Sequence, residues 1–384
     1  MRTHLLILMI LLVFSGCSQR KPNIPVNKEI IDGIVHVKNP ELPLNGHITL
    51  EIERIRELNP YDTEEFGLRW IDFKRNSDGE VMFYSSRGSE VHRFNSENTY
   101  LGNLTKQGQG PGEFLNNRFL NPFYVKNHIF VAGDFKLALF EKNGNLLHER
   151  KTGLYPRIFV DENRFFVEKS ERKDNGRMNN IILISMDSET IENFQETIFF
   201  QRKNVGWIEK KGGNAGYTHP WGVPNILYTF DDFNRRILVC LNTEYKICVK
   251  NLSGETEYVV ERPYNKVSIT GGDKKKILTS FFQDEPEKWM IDSFPDNLVA
   301  IKNIKNLPNG FLAVYRVAGI DRYEIDIFNP DGHYIYSVSP LKEIALDEVK
   351  FNSYGFARIK TREDGFMVYE EYIVNNLPEI FNLR

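Results

Sequence analysis

The chain has 384 residues, with 49 Lys and Arg against 52 Asp and Glu, so its formal net charge is −3. This near balance excludes the strong basic field that draws in nucleic acid, and no nucleic-acid partner is predicted. Aromatic residues make up 13% of the chain, a composition that favours strands over helices. The 3 cysteines are too few for a disulfide scaffold or a cysteine-based zinc site. We therefore expect a large all-β protein stabilised by its apolar core.

The first sixteen residues have the form of a secretory signal peptide. A short basic stretch precedes an apolar run at residues 5–14 (LLILMILLVF), which is too short to span a bilayer as a helix. Ser15 and Gly16 then lead directly into Cys17. This pattern resembles the lipobox of bacterial lipoproteins, in which the cysteine is lipidated, although Phe14 stands where leucine is usual. The alternative is an ordinary cleaved signal followed by an incidental cysteine.

The residues after Cys17 predict where the protein resides. Lipidation would hold it on a membrane of the cell envelope, and the outer membrane is the expected location. Residues 18–21 (SQRK) are basic rather than acidic, which favours a periplasm-facing anchor over surface display. Residues 17–46, which contain four prolines, are predicted to be a lipidated tether for a single domain over residues 47–384.

The rest of the chain repeats one layout of short strands and polar turns. In each copy a strand ends in a large apolar residue just before a tight turn. These residues follow one another at spacings of 46, 46, 55 and 87, and they are Phe94, Phe140, Met186, Leu241 and Phe328. A period near fifty residues with about four short strands is typical of the blades of a β-propeller. The predicted fold is an all-β propeller of six four-stranded antiparallel blades.

The repeat also predicts the blade boundaries and the way the ring closes. The six blades are expected near residues 66–104, 119–152, 156–196, 217–262, 298–340 and 352–384. Strand candidates in the last blade number only three, at residues 356–360, 366–372 and 379–383. Because a propeller must close its ring or leave sheet edges exposed, residues 47–56 are predicted to supply the outer strand of that blade. A short helical insertion is expected near residues 273–292, and a seventh blade would fit only if residues 263–297 held strands.

A glycine-rich stretch lies between the first two predicted blades. It contains Gly108, Gly110, Pro111, Gly112, Glu113 and Phe114. Such a composition cannot sit inside a helix or a central strand. Its successive backbone N–H groups could cradle an anion, but it lacks the Lys-Ser/Thr ending of a phosphate-binding loop. The favoured interpretation is a structural joint, in which glycines take positive φ angles and Glu113 and Phe114 anchor the second blade.

These features together resemble the six-bladed β-propeller lipoproteins of Gram-negative bacteria, a family related in shape to NHL-repeat and TolB-like propellers. The resemblance rests on Cys17 with its lipobox, residues 35–40 (VHVKNP), the loop at 108–114, and the blade turns at 78–79 and 329–332. It covers nearly the whole mature chain, and the glycine-rich loop is its specific element. It implies a propeller fold with no generally assigned enzymatic activity, and no cofactor is expected.

An aromatic stretch before the fourth blade is a candidate ligand site. Trp207, Tyr217, His219 and Trp221 stand near several glycines. Ring side chains on a glycine-bordered loop are suited to stacking on sugars or peptide side chains. The alternative is that both tryptophans pack between blades. No second histidine lies at a ligand spacing from His219, so no metal site is predicted.

Polar residues on the predicted innermost strands form a second candidate. They are Arg69, Asp72, Asn121, Arg157, Lys302 and Arg358. They would give the ring a hydrated, mildly basic central channel able to receive a carboxylate or phosphate. Because solvated channel walls are common in propellers, a purely structural role is the alternative. Neither a set of calcium ligands nor a Gly-x-Ser-x-Gly nucleophile elbow can be assembled from the sequence.

The remaining two cysteines are predicted on adjacent strands of one hairpin. Cys240 and Cys248 would face each other across a turn centred on Glu244. Two free, apolar-facing thiols are the simpler interpretation, and a cross-strand disulfide is the alternative in an oxidising compartment.

Taken together, these patterns favour a membrane-anchored, non-catalytic binding or scaffolding module of the cell envelope. Its expected partners are the membrane, through the N-terminal lipid, and an envelope protein, peptide or glycan. The alternative is a propeller enzyme, a metal-dependent hydrolase or lyase with its site at the central channel.

Overall fold

The structure is a computed structural model of the chain. It describes residues 26–63, 66, 71–85, 88–115, 120–133, 136–173, 176–187, 190–203, 223–282, 284–320, 322–339, 341, 344–346 and 348–381. The strands are numbered in chain order. Four strands come first and lie outside the blade repeats: β1 (Asn27–Ile31), β2 (Ile34–Lys38), β3 (His47–Ile48) and β4 (Ile52–Leu58).

The first three blades follow in order along the chain. Blade 1 consists of β5 (Ile71–Arg75), β6 (Val81–Ser85), β7 (Val91–Phe94) and β8 (Tyr100–Asn103). The short strands β9 (Lys106–Gln107) and β10 (Glu113–Phe114) lead to blade 2, which consists of β11 (Asn121–Val125), β12 (His128–Gly133), β13 (Lys136–Glu141) and β14 (Leu146–Lys151). Blade 3 consists of β15 (Pro156–Asp161), β16 (Arg164–Lys173), β17 (Gly176–Asp187) and β18 (Glu192–Lys203).

The second half of the ring has the same layout with one insertion. Blade 4 consists of β19 (Ile226–Asp231), β20 (Arg236–Leu241), β21 (Lys246–Lys250) and β22 (Thr256–Glu261). Helices α1 (Gly271–Phe282) and α2 (Lys288–Ser293) follow, which confirms the predicted helical insertion. Blade 5 consists of β23 (Ile301–Asn306), β24 (Leu312–Gly319), β25 (Arg322–Phe328) and β26 (Tyr334–Val338). Blade 6 takes β27 (Lys350–Asn352), β28 (Gly355–Thr361) and β29 (Met367–Val374) from the end of the chain.

Within each blade repeat the strands pair antiparallel in chain order. The first strands of neighbouring blades contact one another, as β19 contacts β15 and β23, so the first strand of each blade is the innermost. Six blades are present, as predicted. Between β22 and β23 the described residues form the two helices and a single isolated bridge, Ser268 with Asn297, and hold no seventh blade.

The apolar core lies in layers between neighbouring blades. In β12, Ile129 and Val131 pack with residues of blade 1, whereas Phe130 and Ala132 pack with residues of blade 3. Both faces of such a strand are therefore buried, and the strand is apolar along its length rather than alternating. This explains why the strongest strand signals in the sequence are unbroken apolar runs.

The N-terminal strand closes the ring, as predicted. Strand β4 pairs antiparallel with β29 and becomes the outermost strand of blade 6, with Arg56 opposite Glu371. The guanidinium group of Arg56 lies 3.0 Å from the carboxylate of Glu371, which is 2% exposed. Arg75 of blade 1 reaches the same carboxylate at 3.1 Å. This buried ion pair therefore joins the last blade to the first.

Two details of blade 6 differ from the prediction. Its innermost strand is β27, and the stretch predicted as a strand at residues 379–383 is a turn as far as it is described, with Phe381 donating its N–H to the carbonyl of Leu377. Because β4 already occupies the outer position, the apolar side chains of Ile380 and Phe381 are buried in the core between blades 5 and 6 instead.

Residues 27–38 of the predicted tether and residues 47–48 of the predicted closing strand also require correction. Strands β1 and β2 form a hairpin, and β2 pairs in parallel with β22 at the outer edge of blade 4. Strand β3 pairs in parallel with β26 of blade 5. The hairpin turn is Asp32–Gly33, with φ angles of 51° and 79°, and Asp-Gly is a strong signal for a two-residue hairpin turn. Residues 27–58 therefore run along the outer edges of three blades.

Candidate functional site

One face of the ring collects most of the features that could contact a ligand. Every blade begins at its innermost strand and alternates direction strand by strand, so all six innermost strands begin at the same face. We call this the top face and the opposite one the bottom face. The second turn of every blade and the connection to the next blade also lie at the top face. Helices α1 and α2 belong to one of these connections.

Blade 3 forms a wall at the top face. The first residue of its innermost strand, Pro156, pairs with Val167 of β16, but β16 continues to Lys173. Six residues of extended strand span about 20 Å at about 3.3 Å per residue. The β16–β17 hairpin therefore rises well above the start of the channel.

The glycine-rich loop lies at the top face between blades 1 and 2. Its backbone N–H groups bind carboxylates of the same chain. The N–H of Gly110 donates to the carboxylate of Glu113 at 2.9 Å, and the N–H of Gly112 donates to Glu149 of β14 at 2.8 Å. Lys136 of β13 donates to Glu149 at 3.0 Å. The donating N–H of Gly110 and the nearby Lys106 ammonium hold the pKa of Glu113 below its ordinary value.

This geometry favours the structural interpretation of the loop. The carboxylates of Glu113 and Glu149 take the positions that an anionic ligand would need. Phe114 is fully buried between blades 1 and 2, under the ammonium group of Lys136 at 4.7 Å from the ring centroid. Gly112 has a φ of +71°, whereas the φ of Gly110 is not in the left-handed range. Pro111 stands between them in the sequence.

The channel receives four of the six polar residues predicted for it. Asp72, Asn121, Arg157 and Lys302 lie on the innermost strands β5, β11, β15 and β23. Arg69 lies outside the described residues. Arg358 is not on an innermost strand as predicted. It lies on the second strand of blade 6, where its Nε donates to Glu370 at 2.8 Å. The prediction failed there because the true innermost strand, β27, has only three residues.

A polar cluster in the channel joins blade 6 to blade 1. The ammonium group of Lys350 on β27 donates to the carboxylate of Asp72 and to the carbonyl of Phe73 at 2.5 Å. The hydroxyl of Tyr84 donates to the other oxygen of Asp72 at 2.9 Å. Burial works to raise the pKa of Asp72, but Lys350 outweighs it and holds that pKa below its ordinary value. The Asp72 carboxylate is therefore ionised and already has fixed partners.

A cleft of about 420 Å³ opens beside blade 4. Its walls are the end of the N-terminal hairpin (Lys38 and Asn39), the turn before β21 (residues 244–246) and the end of β22 with the residues after it (261–264). All three segments reach the top face. We call this the rim cleft. Tyr264 is fixed in its wall, because its hydroxyl donates to the carbonyl of Thr243 at 2.8 Å.

Charged groups around the rim cleft are held by partners. Glu261 accepts from His36 at 2.8 Å and from Lys38, and Lys246 lies 3.5 Å away. Burial works to raise the pKa of Glu261, but the Lys38 and His36 contacts outweigh it and hold that pKa below its ordinary value.

Arg262 lines the cleft and is 8% exposed. Its guanidinium group donates to Asp326 at 2.7 Å, and Asp326 also accepts from the hydroxyls of Tyr245 at 2.6 Å and Tyr334 at 2.9 Å. Asp326 is fully buried between blades 4 and 5. The rim cleft therefore has a rigid base.

Cys240 and Cys248 do not face each other, and the possible cross-strand disulfide is not formed. Strands β20 and β21 pair with Cys240 opposite Ile247 and Cys248 opposite Val239, one residue out of the predicted register. A shift of one residue turns a side chain to the other face of the sheet. Cys240 packs towards blade 5 and Cys248 towards blade 3, and both are free thiols. Burial raises the pKa of the Cys240 thiol.

Several predicted residues cannot be placed. Cys17 and the aromatic candidates Trp207, Tyr217, His219 and Trp221 lie outside the described residues. In the part of the chain that the structure does describe, no three His, Cys, Asp or Glu side chains are grouped to hold a metal ion. No helix within the same described ranges is long and apolar enough to cross a membrane.

Two features of the top face were missed from the sequence. The rim cleft combines Lys38 with Glu261, which are 223 positions apart. The channel cluster combines Asp72 with Lys350, which are 278 positions apart. The only local signal was the Asp32–Gly33 turn, which indicated a hairpin where a tether was predicted.

Comparison with known proteins identifies the fold. The structure is similar to that of a candidate exported protein from Bacteroides fragilis, with a TM-score of 0.51, 12% sequence identity, and coverage of 89% of this chain and 100% of the other. The chain is a six-bladed β-propeller. No protein-family model matches its sequence, and a search of curated proteins finds no relative.

Two further solved structures share less of the geometry. A member of the DUF4221 family from Bacteroides vulgatus has a TM-score of 0.47 at 10% identity, and the alignment covers 86% of this propeller and 100% of that chain. Virginiamycin B lyase from Staphylococcus aureus has a TM-score of 0.42 at 10% identity, with coverage of 85% and 100%. Likeness at these identities concerns the fold and not the activity.

Proposed function

We propose that the propeller is a membrane-anchored, non-catalytic binding or scaffolding module of the cell envelope, which presents its top face to an envelope protein, peptide or glycan. The observation that carries this proposal is the rim cleft. Concave sites with a few fixed polar groups and an aromatic side chain are the usual form of a ligand site. Tyr264 supplies the ring, while Lys38, Lys246 and Glu261 supply hydrogen-bonding groups.

The state of these polar groups supports recognition rather than proton transfer. A general acid or base works best with a pKa near the operating pH. The pKa of Glu261 is instead held below its ordinary value, mainly by Lys38 and His36 against the effect of burial. The hydroxyl of Tyr245 is committed to Asp326, and burial next to that carboxylate raises the pKa of Tyr245 further from neutrality. Glu261 and Tyr245 therefore fix the geometry of the cleft wall, and the ionised Glu261 can accept hydrogen bonds.

The position of the hairpin supports a role close to the membrane. If Cys17 carries the lipid, nine residues lie between it and Asn27, the first residue of β1, so ten Cα–Cα steps connect the two. Ten fully extended residues span at most about 35 Å. The outer edge of blade 4, and the rim cleft beside it, would then stay within that distance of the bilayer surface.

The binding role can be tested by thermal shift with a panel of envelope peptides and glycans. Tyr264→Ala removes the ring from the cleft, and Phe233→Ala is the matched control, because Phe233 is 66% exposed in the first turn of blade 4 at the bottom face. We expect a ligand that raises the melting temperature of the wild type and of Phe233→Ala, but not of Tyr264→Ala. A panel without any stabilising ligand, or a shift that survives in Tyr264→Ala, would contradict the proposal.

The anchor needs a separate test. Cys17→Ser should move the protein from the membrane fraction to the soluble fraction after cell lysis, with the melting temperature of the isolated domain unchanged. Membrane association that persists in this variant would argue against a lipid anchor.

A further inference from the structure

Lys74 differs from the other cations of the channel wall in its surroundings. It lies on the innermost strand β5, two residues after Asp72 and therefore on the same face of that strand. Its ammonium group lies 4.8 Å from the ring centroid of Phe123 on β11 of blade 2. Among the described residues, no carboxylate lies within ion-pair distance of it. The nearby Asp72 carboxylate is held by Lys350 and by the hydroxyl of Tyr84.

The channel wall as a whole is more positive than the rest of the protein. The described innermost strands carry six cationic side chains (Lys74, Arg75, Arg157, Lys302, Lys305 and Lys350) and three acidic ones (Asp72, Asp161 and Asp231). Arg75 is held by the buried Glu371 of blade 6, which leaves five cations for the channel wall. The complete chain has a net charge of −3. A cleft lined by one sign of charge between low-dielectric walls concentrates ions of the opposite sign.

Two of the three acids belong to local ion pairs away from this cluster. Asp161 pairs with Arg164 at 2.6 Å, and Asp231 pairs with Arg236 at 3.2 Å, both near the first turn of their blades at the bottom face. Within the channel, Lys74 and Lys350 both interact with the single carboxylate of Asp72, so the cluster has one positive charge in excess. Tyr84 of blade 1 and Tyr155, just before blade 3, are the titratable side chains next to Asp72.

The pKa of Lys74 agrees with an ammonium group that has no carboxylate within ion-pair distance among the described residues. Burial, together with the Lys350 ammonium, lowers the pKa of Lys74 to about 8, although Asp72 acts in the opposite direction. An ordinary lysine, with a pKa near 10.4, has well under about 1% of its amine neutral at pH 8, whereas about half of Lys74 would be neutral there. An anion placed against the ammonium group would reverse this shift.

We propose that the channel holds a binding site for a compact oxyanion, a carboxylate or phosphate group, at the ammonium groups of Lys74 and Lys350. Lys350 is already oriented by Asp72 and by the carbonyl of Phe73, so it needs no rearrangement to present its remaining N–H to a ligand. The anion neutralises the excess charge of the cluster. This site is separate from the rim cleft and does not depend on the function proposed for it.

The site can be tested with succinate and inorganic phosphate as probes, in separate titrations against sodium chloride of equal ionic strength. Binding is followed by the rise in melting temperature, since a ligand that binds only the folded state stabilises it. We expect one or both probes to stabilise the wild type beyond the salt control, which also identifies the preferred oxyanion. Lys74→Gln should weaken that binding at least tenfold. Lys151→Gln, at an exposed position on the outermost strand of blade 2, is the matched control and should bind as the wild type does.

The pH dependence gives a second criterion. Because the ammonium form binds the anion and its pKa in the free protein is about 8, affinity for succinate should fall as the pH rises from 7 to 9. Succinate itself stays fully ionised over this range. An affinity that is flat with pH, or binding that survives unchanged in Lys74→Gln, would overturn the assignment, as would the absence of stabilisation by both probes.

Amine labelling of the unmutated protein tests the site even if Lys74→Gln does not fold. An acylating reagent at pH 8 should modify Lys74 faster than it modifies an ordinary lysine, as read by peptide mass spectrometry, because about half of the Lys74 amine is neutral there. Succinate or phosphate should slow this labelling several-fold and leave the labelling of Lys151 unchanged. Labelling of Lys74 that neither anion slows would count against the proposal.

Discussion

At the residue scale, carboxylates fill positions that the sequence offered to ligands. The glycine-rich loop has the composition of an anion cradle, and its N–H groups do bind anions, but these are Glu113 and Glu149 of the same chain. The sequence predicted a joint here because the stretch lacks the lysine of a phosphate-binding loop. Glu149 could not have been predicted as a partner, because it lies 37 positions away on the outermost strand of the next blade.

Gly112→Val tests the structural role of this loop. With φ at +71°, a β-branched residue at position 112 costs about 1–2 kcal/mol or more in the left-handed region. We expect a melting temperature several degrees lower, measured by circular dichroism. Gly153→Ala is the control, because nothing lies within 4 Å of the added Cβ and its φ is outside the left-handed range. Equal melting temperatures for both variants would show that position 112 does not require a glycine.

Glu371 accepts the hydrogen bonds that join blade 6 to blade 1 where the ring closes. Its carboxylate, 2% exposed, accepts from Arg56, Arg75 and the hydroxyl of Tyr369 at 2.6 Å. Removing one partner of a buried ion pair costs about 3–5 kcal/mol, so Glu371→Gln should lower the free energy of unfolding by about that much. The measurement is a urea titration at pH 7, with Glu363→Gln at an exposed turn as control.

The same carboxylate makes stability depend on pH. Burial works to raise the pKa of Glu371, but the hydroxyls of Tyr354 and Tyr369 and two arginines hold it below its ordinary value. Its contribution to stability is therefore complete above the unfolded pKa of about 4.3 and is lost as the pH falls through the lower folded pKa. The melting temperature should drop between pH 5 and 3, and by less in Glu371→Gln. An equal drop in both proteins would contradict this.

At the element scale, the N-terminal strands have an unexpected role. Residues 17–46 were predicted to be a tether on account of their prolines, yet the hairpin β1–β2 docks on β22 and β3 docks on β26. Each of these strands is short, and its partner is distant in the chain, so its pairing cannot be read from local pattern. The Asp32–Gly33 turn predicts the hairpin itself, but not the blade that receives it.

Asn39 holds this hairpin to two blades at once. Its side-chain amide donates to the carbonyl of Gly332 at 2.9 Å and its oxygen accepts the N–H of Tyr334 at 2.7 Å, with the residue 4% exposed. Asn39→Ala leaves these buried groups without partners and should cost about 1–3 kcal/mol of stability. Asn27→Ala on the exposed strand β1 is the control and should change little. Chemical denaturation compares the two, and equal losses would show that the hairpin is not held through Asn39.

At the scale of the whole molecule, the ring is closed by the two ends of the chain. Strand β4 supplies the outermost strand of blade 6, and residues 27–48 add strands to blades 4 and 5. The segment 27–58 therefore contacts half of the ring from outside. Closure removes the exposed sheet edge that blade 6 would otherwise present.

The contribution of β4 can be separated from that of the earlier strands. A chain without residues 1–46 keeps β4 and should fold as a monomeric propeller of lower melting temperature. A chain without residues 1–59 loses β4 and the partners of Glu370 and Glu371 that it carries, and should aggregate or stay unfolded. Size-exclusion chromatography and circular dichroism distinguish these outcomes, and a stable monomer from the shorter chain would refute the closure argument.

The sequence by itself determined the fold class, the number of blades, the helical insertion and the closing strand. These depend on the local alternation of strands and turns at a period near fifty residues, and on the general requirement that a ring be closed. The glycine-rich loop was predicted to be a joint because the chemistry that it lacks is visible in the sequence, and its contacts with Glu113 and Glu149 favour that interpretation.

Only the tertiary structure decided which side chains meet. A one-residue difference from the predicted register placed Cys240 and Cys248 on opposite faces of blade 4, where they cannot form a cross-strand disulfide. The rim cleft and the Lys74–Lys350 cluster bring together residues that are hundreds of positions apart. The physical reason is that strand pattern is a local property, whereas register and blade-to-blade contacts depend on the closed ring, whose first and last strands come from opposite ends of the chain.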